Sequence, residues 1–364
     1  MFHHLLHTTF FILGLFSFSA QAQVLKPGFD PEEYKQLMYV SARAGVGEEY
    51  SAKFPEPANF KLVYNSPIVG LENFWNLWVD NRSVAVLNIR GTTAEATSWL
   101  ANFYAAMVPA SGQLKLSENE TFDYHLADNP RAAVHVGWLL STAYLSKDML
   151  PRIDSLYKTG VKEFLIMGHS QGGAIAFLMT SHLLSLQKQG KLPKDLQFKT
   201  YCSAGPKPGN LYYAYEYEAQ TQAGWAYNVV NSADWVPETP VSIQTVDDFN
   251  TTNPFIGAKA AIKKQKFPKN VALKSVYNKL DKPTRKAQKN YEKYLGKMVS
   301  KMINANLTDY IPPTYYSSNH YVRTGFTIVL LADDDYYTKF PDNKENVFIH
   351  HVHESYLYLL EKQF

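Results

Sequence analysis

The chain has one cysteine, Cys202, in 364 residues. No internal disulfide can form within it, and a cysteine-rich zinc site is excluded. A chain of this length buries enough apolar surface to fold without such staples. Long apolar runs are also scarce. The run from Phe10 to Phe18 is too short to span a bilayer, and no later segment reaches about 18 uninterrupted apolar residues. No transmembrane segment is therefore expected in the mature chain. Internal repeats, low-complexity tracts and linkers rich in Pro, Gly or Ser are missing. So are a glycine-rich phosphate loop and a His-Glu-x-x-His zinc pair. The acids Asp333, Asp334 and Asp335 lack the spacing and the glycine of a calcium loop, so they read as a polar loop at a strand end. No metal and no cofactor are expected.

What is present starts with MFHHLLHTTFFILGLFSFSAQAQ. An apolar stretch followed by Ala20-Gln21-Ala22 predicts a signal peptide over residues 1–22, cut after Ala22, and an exported, secreted or periplasmic protein. Its n-region carries histidines where Lys or Arg is usual. The net charge of +3 hides an asymmetry. Between Lys259 and Lys301 stand fourteen Lys and Arg against Asp281 and Glu292, a net of +12, so the rest carries about −9. This stretch reads as a solvated helical face. Its other reading is an insertion that meets a lipid surface. Interleaved Val271, Leu273, Val276, Tyr277, Leu280, Tyr291, Tyr294 and Leu295 suggest that one side packs on the body. With the rest acidic and no binding motif, nucleic acid is not an expected partner.

Strand and helix patterns alternate. Pro31 to Arg43 reads as a helix with Pro and acids in its first turn. FWNLWVD and SVAVLNIRG read as a hairpin. Glu95 to Met107 has helical spacing, as has Val136 to Leu156, which Pro151 should interrupt. FLIM, at Phe164 to Met167, shows no polar alternation, as in a strand buried on both faces. FKTYCSAG, WAYNVVN, GFTIVLLA and NVFIHH read as further strands. Lys259 to Leu307 reads as helix broken near Pro268 and Pro283. HESYLYLLEK closes the chain as a helix. The expectation is one α/β domain over 23–364, with a mostly parallel sheet covered on both faces and a basic helical insertion at about 255–320.

The chemistry centres on Gly168-His-Ser170-Gln-Gly172, between an apolar strand and a helix. Alone, Gly-x-Ser-x-Gly is a weak signal, and a capping serine in a glycine-rich turn is its bland reading. The strand before and the helix after strengthen it. A serine on such a turn sits at a helix N-terminus, where backbone N–H groups favour negative charge. The Gln171 N–H is then a candidate oxyanion donor. A hydroxyl needs a base to take its proton, and the base needs an orienting carboxylate. In this architecture both follow the serine, in the order Ser, Asp or Glu, His. His182, His320, His350, His351 and His353 are available, and helix geometry points His182 away.

Four more stretches, ordered along the chain, give the sequence a likeness. VAVLNIRGT ends in Arg-Gly-Thr, VHVGW spans Val134 to Trp138, TYCSAGPKPGN spans Thr200 to Asn210, and VVNSADWVPETP spans Val229 to Pro240. Together with the serine motif they resemble the class 3 (fungal-type) lipase family of α/β-hydrolases. The resemblance implies Thr92 as a second oxyanion donor and Asp234 as the catalytic acid. Without it, Asp247 and Asp248 would compete with Asp234. It makes His135 structural. It puts the base in Phe348 to Leu357, where the family shows a Tyr either five or three residues after the His. His351 fits the first spacing and is favoured. His353 fits the second and is the alternative. Trp99, Leu100, Phe103, Tyr104 and Met107 follow Thr92, where the family often has a lid helix, though core packing explains them equally well. The implied reaction is hydrolysis of lipid esters through an acyl-enzyme on Ser170. A phospholipase A1, a short-chain carboxylesterase and a silent lipid- or surface-binding protein are the alternatives.

Overall fold

The computed structural model describes residues 23–44, 47–81 and 83–364. The expected signal peptide lies outside the described residues. The frame is a seven-stranded sheet whose strands follow one another in chain order: β1 (Phe60–Asn65), β2 (Trp75–Asp80), β3 (Val84–Ile89), β4 (Glu163–His169), β5 (Gln197–Ser203), β6 (Ala226–Asn231) and β7 (Phe326–Leu330). The β1–β2 and β2–β3 pairs are antiparallel, and all pairs from β3 to β7 are parallel. Each parallel crossover needs a covering element, and right-handed crossovers between sequential neighbours leave those elements on one face. The second face is therefore free for the chain's outer helices.

The central strands read as continuous apolar runs because both faces are buried. In β3, Ala85, Leu87 and Ile89 point into one core, and Val84 and Val86 into another. Helix α3 (Val136–Lys158) and helix α4 (Gln171–Lys188) cover the first face. Helix α1 (Pro31–Ser41) and the last helix, α7 (His353–Gln363), cover the second. Asp30 caps α1 by accepting from the Glu32 and Glu33 N–H groups. This mixed sheet with helices on both faces, and a sharp strand-to-helix turn at Ser170, is the α/β-hydrolase fold. Helix α2 (Ala96–Phe103) is shorter than the expected Glu95 to Met107, since Met107–Pro109 pairs instead with Ala133–His135 in a small second sheet.

Three expectations are corrected. Pro151 does not interrupt α3. A proline inside a helix costs one backbone bond and favours a kink, but Pro151 lies on the exposed side while Met149 and Ile153 on either side are held in the core. Pro283 likewise lies inside α6 (Lys269–Glu292), which follows the short α5 (Ala258–Lys263). The Arg285 Nε–Asp281 Oδ1 pair, 2.8 Å, spans that proline. NVFIHH is not a strand. It forms turns, with His351 N–H donating to the Phe348 carbonyl at 2.9 Å, and Phe348 packs on Trp99 and Trp235 rather than on a sheet neighbour.

The third correction concerns which side of α6 faces the body. Residues 281, 285 and 288 share one face by their spacing of four and three. That face is polar. Arg285 also pairs with Asp247, at 3.0 Å from Nη2 to Oδ1, and Gln288 donates to the Ser317 carbonyl. Val271, Leu273, Val276, Leu280 and Tyr294 are exposed instead of packed. Tyr291 and Leu295 do pack inward. Among the described residues, no helix is long and apolar enough to cross a membrane.

Candidate active site

Ser170 ends β4 and starts α4 with φ +62° and ψ −130°. That backbone region is strained for a non-glycine residue, at a cost of about 1–3 kcal/mol. The turn is held by the Ser170 N–H, which donates to the Ser203 carbonyl of β5 at 2.9 Å. Two glycines make it possible. A Cβ at Gly168 would collide with the Gly172 carbonyl, and one at Gly172 with the Ile89 carbonyl at the end of β3.

Ser170, Thr92, Gln171 and His351 line one cavity of about 900 Å³. The rest of its wall is largely aromatic and aliphatic, including Trp99, Phe103, Trp138, Trp235, Leu295 and Phe348. Such a volume suits an organic ligand of drug size or an acyl chain.

His351 Nδ1 lies 2.7 Å from Asp234 Oδ2, and Asp234 is 3% exposed. The same oxygen accepts from the Tyr356 hydroxyl at 2.8 Å, and Oδ1 accepts from the Val236 N–H at 2.9 Å. Three donors thus converge on one buried carboxylate. A carboxylate accepts only, so His351 presents Nδ1–H to it and keeps a lone pair on Nε2. Tyr356 stands five residues after His351 on the first turns of α7. That spacing was visible in the sequence, but the bond to Asp234 was not.

Thr92 and Gln171 are tied together by Asn102 of α2. Asn102 Nδ2 donates to Thr92 Oγ1 at 2.9 Å. Its Oδ1 accepts from Gln171 Nε2 at 3.0 Å and from Trp138 Nε1 at 3.0 Å. His135, buried and stacked on Trp138, donates from Nε2 to the Asn102 carbonyl at 3.2 Å. Burial pulls His135 down to about 3, so it stays neutral and structural. Asn102 had no signal in the sequence beyond lying on the helix after Thr92.

A second layer backs the site. His169 Nε2 donates to the His351 carbonyl at 2.8 Å. Its Nδ1 therefore accepts from Ser203 Oγ at 2.9 Å, and Ser203 accepts from the Tyr34 hydroxyl at 2.6 Å. Burial holds His169 well below the ordinary histidine value, helped by His353 and His351 beside it. His353, the alternative base, stacks on His169 with centroids 4.4 Å apart. Its ring nitrogens face Tyr50 Oη at 2.9 Å and Ser41 Oγ at 3.1 Å, and burial pulls it down to about 3.

The other candidates are used elsewhere. His350 bonds Tyr336 and Asp342. His182 packs on Phe122. Asp247 pairs with Arg285, and Asp248 accepts from Thr245 and Ser318. Asp333 caps a helix and pairs with Lys362. Among the described residues, no cluster of His, Cys, Asp and Glu has the arrangement to hold a metal ion.

Residues 86–243 match the family model described as lipase (class 3). Lipase II from Rhizopus niveus is similar at 21% identity, over 58% of this chain and 74% of that one, with a TM-score of 0.42. A triacylglyceride lipase from Rhizomucor miehei is similar at 17% identity, over 59% and 77%, with a TM-score of 0.43. A lipase from Yarrowia lipolytica is similar at 19% identity, over 59% and 76%, with a TM-score of 0.43. A search of curated proteins gives no match.

Proposed function

We propose, for a chain whose residues 86–243 match the class 3 lipase family model, that it hydrolyses carboxylic esters of lipids through a Ser170–His351–Asp234 triad. Ser170 Oγ attacks the ester carbonyl while His351 Nε2 takes its proton. The carbonyl oxygen becomes an oxyanion held by the Thr92 and Gln171 N–H groups. The alcohol leaves with the proton from His351, and an acyl group remains on Ser170. Water repeats the sequence and releases the acid. Asp234 fixes the imidazole tautomer and stabilises the imidazolium. One observation carries this reading: the 2.7 Å contact of His351 with a buried Asp234, at the wall of the cavity that Ser170 also lines. The aromatic and aliphatic wall favours an acyl chain over a polar substrate.

We extend the proposal to a single hydrolase domain from residue 23 onward, with an insertion at about 255–320, and to export directed by residues 1–22. The test is hydrolysis of p-nitrophenyl esters from C2 to C16 by the chain from Gln23 onward, beside its Ser170→Ala variant. The variant should keep its circular dichroism spectrum and lose turnover by a factor of about 10⁴ or more. Turnover that survives in a folded variant would remove Ser170 from the mechanism. The preferred chain length then sorts lipase from esterase.

A further inference from the structure

The inward face of α6 is polar around Asp281, Arg285 and Gln288, and this leaves Leu273, Val276 and Leu280 exposed. Leu273, Val276 and Leu280 follow at intervals of three and four and so form one stripe along the helix. They are 37%, 57% and 69% exposed. A stripe of this kind on a helix clamped by ion pairs is not core. It is also not isolated. Tyr291 stands eighteen residues after Leu273, which is five turns at 3.6 residues each, so it continues the line of the stripe to where the helix packs on the body. Tyr291 lines the cavity, and so does Leu295 in the next turn. Exposed Val241, Phe103 and Trp235 also line the cavity and continue the apolar surface around its mouth. Beside the stripe, Lys279, Lys282 and Lys286 occupy the solvent face, again at intervals of three and four. None of the three has an ion pair among the described residues.

We propose that this stripe and its lysine flank dock on an anionic lipid bilayer and set the cavity mouth against that surface. The inference rests on the lipid-ester reading above and adds the kind of surface the substrate is drawn from. An apolar stripe beside a lysine row is the pattern of a helix lying in a lipid interface. The apolar side chains enter the acyl boundary, and the lysines meet headgroup phosphates. The charge favours an anionic surface over a second copy of this chain, since the same lysine row would repel itself across a twofold contact.

The test is co-sedimentation of the full chain carrying Ser170→Ala, which cannot consume the lipid, with two vesicle types. One is phosphatidylcholine alone, and the other is phosphatidylcholine with phosphatidylglycerol. Binding should require the anionic lipid and should weaken as salt rises. The Lys279→Gln, Lys282→Gln, Lys286→Gln triple variant should bind roughly a hundredfold more weakly, at about tenfold or less per lysine. Val276→Asp with Leu280→Asp should abolish binding. In the catalytic background, neither set should alter turnover of p-nitrophenyl butyrate in free solution. All five positions are exposed, so folding is preserved, and the salt dependence of the unsubstituted chain gives a readout without any change at α6. Equal binding to both vesicle types overturns the proposal, as does unchanged binding by either variant set. So does a dimer that these substitutions turn into a monomer, because the stripe would then belong to a second copy. Failure of the ester reading would show separately, as absent turnover by the unsubstituted chain.

Discussion

The turn at Ser170 and the helix α6 are built on opposite terms. Around Ser170, both ring nitrogens of His169 and of His353 are engaged, and Asp234 accepts from three donors. Along α6, Asp281 is the one buried residue of a 24-residue helix. The first region is tightly partnered: the buried rings and the carboxylate behind Ser170 bond to groups of the protein itself. The second is left open: Leu273, Val276 and Leu280 are exposed, and Lys279, Lys282 and Lys286 have no ion pair among the described residues. Chemistry at a fixed carbon needs atoms held to a fraction of an ångström, whereas contact with a fluid surface needs area and charge.

The sharpest way to break this contrast is at the histidines, where two neighbours should behave oppositely. His351→Ala should lower kcat by about 10⁴-fold or more in a chain that stays folded, as its circular dichroism spectrum would show. His353→Ala should leave kcat within about tenfold but cost about 3 kcal/mol of stability, because it empties a buried, doubly bonded site. Kinetics beside urea unfolding of both variants decides it. If His353→Ala were the kinetic defect, the base would be reassigned.

A smaller effect is expected at Asn102, which touches no reacting atom in this reading. Asn102→Ala frees Thr92 and Gln171 from their shared anchor. A loss of about 10–100-fold in kcat, with KM little changed, would mark it as a positioning residue. A change in KM alone would leave it a wall residue.

The smallest effect is graded and concerns acid. His135 and His353 are held near 3 and His182 near 4 by burial, against about 6.5 when unfolded. Between those values the unfolded chain binds more protons than the folded one. The stability these neutral rings give is therefore complete above about pH 6.5 and drains away as pH falls toward 3. The urea midpoint should decline over that window, and His353→Phe should flatten the decline. Substituting the lysines of α6 should leave it unchanged, since no such burial operates there.

How much of this was legible in the sequence follows the same division. The strands β3 to β6 were readable because strands buried on both faces must be apolar throughout. Ser170 stood out through its setting between an apolar strand and a helix, whereas Thr92 and Asp234 became candidates only through the family resemblance, since nothing in their local sequence marks a role. His351 was favoured over His353 through the family's His-to-Tyr spacing, which Tyr356 meets within one turn-and-helix unit. Asn102, His169 and the donor role of Tyr356 were not, since each acts on a residue far away in the chain. The orientation of α6 was misread for a related reason. Its apolar residues looked inward-facing, but Asp247, from outside the helix, pairs with Arg285 and turns the polar side toward the body.

Asn102 carries one more consequence. It links the side chains of Thr92 and Gln171, whose N–H groups are proposed to hold the oxyanion, while Trp138 braces its side chain and His135 its backbone carbonyl. In the proposed mechanism no assembly step would then precede the attack, and the energy of substrate binding would not be diverted into building the hole. Progress curves on dissolved monomeric esters should then run linearly from the first seconds, without a lag, and the bilayer should raise the rate by delivering substrate rather than by switching the enzyme on.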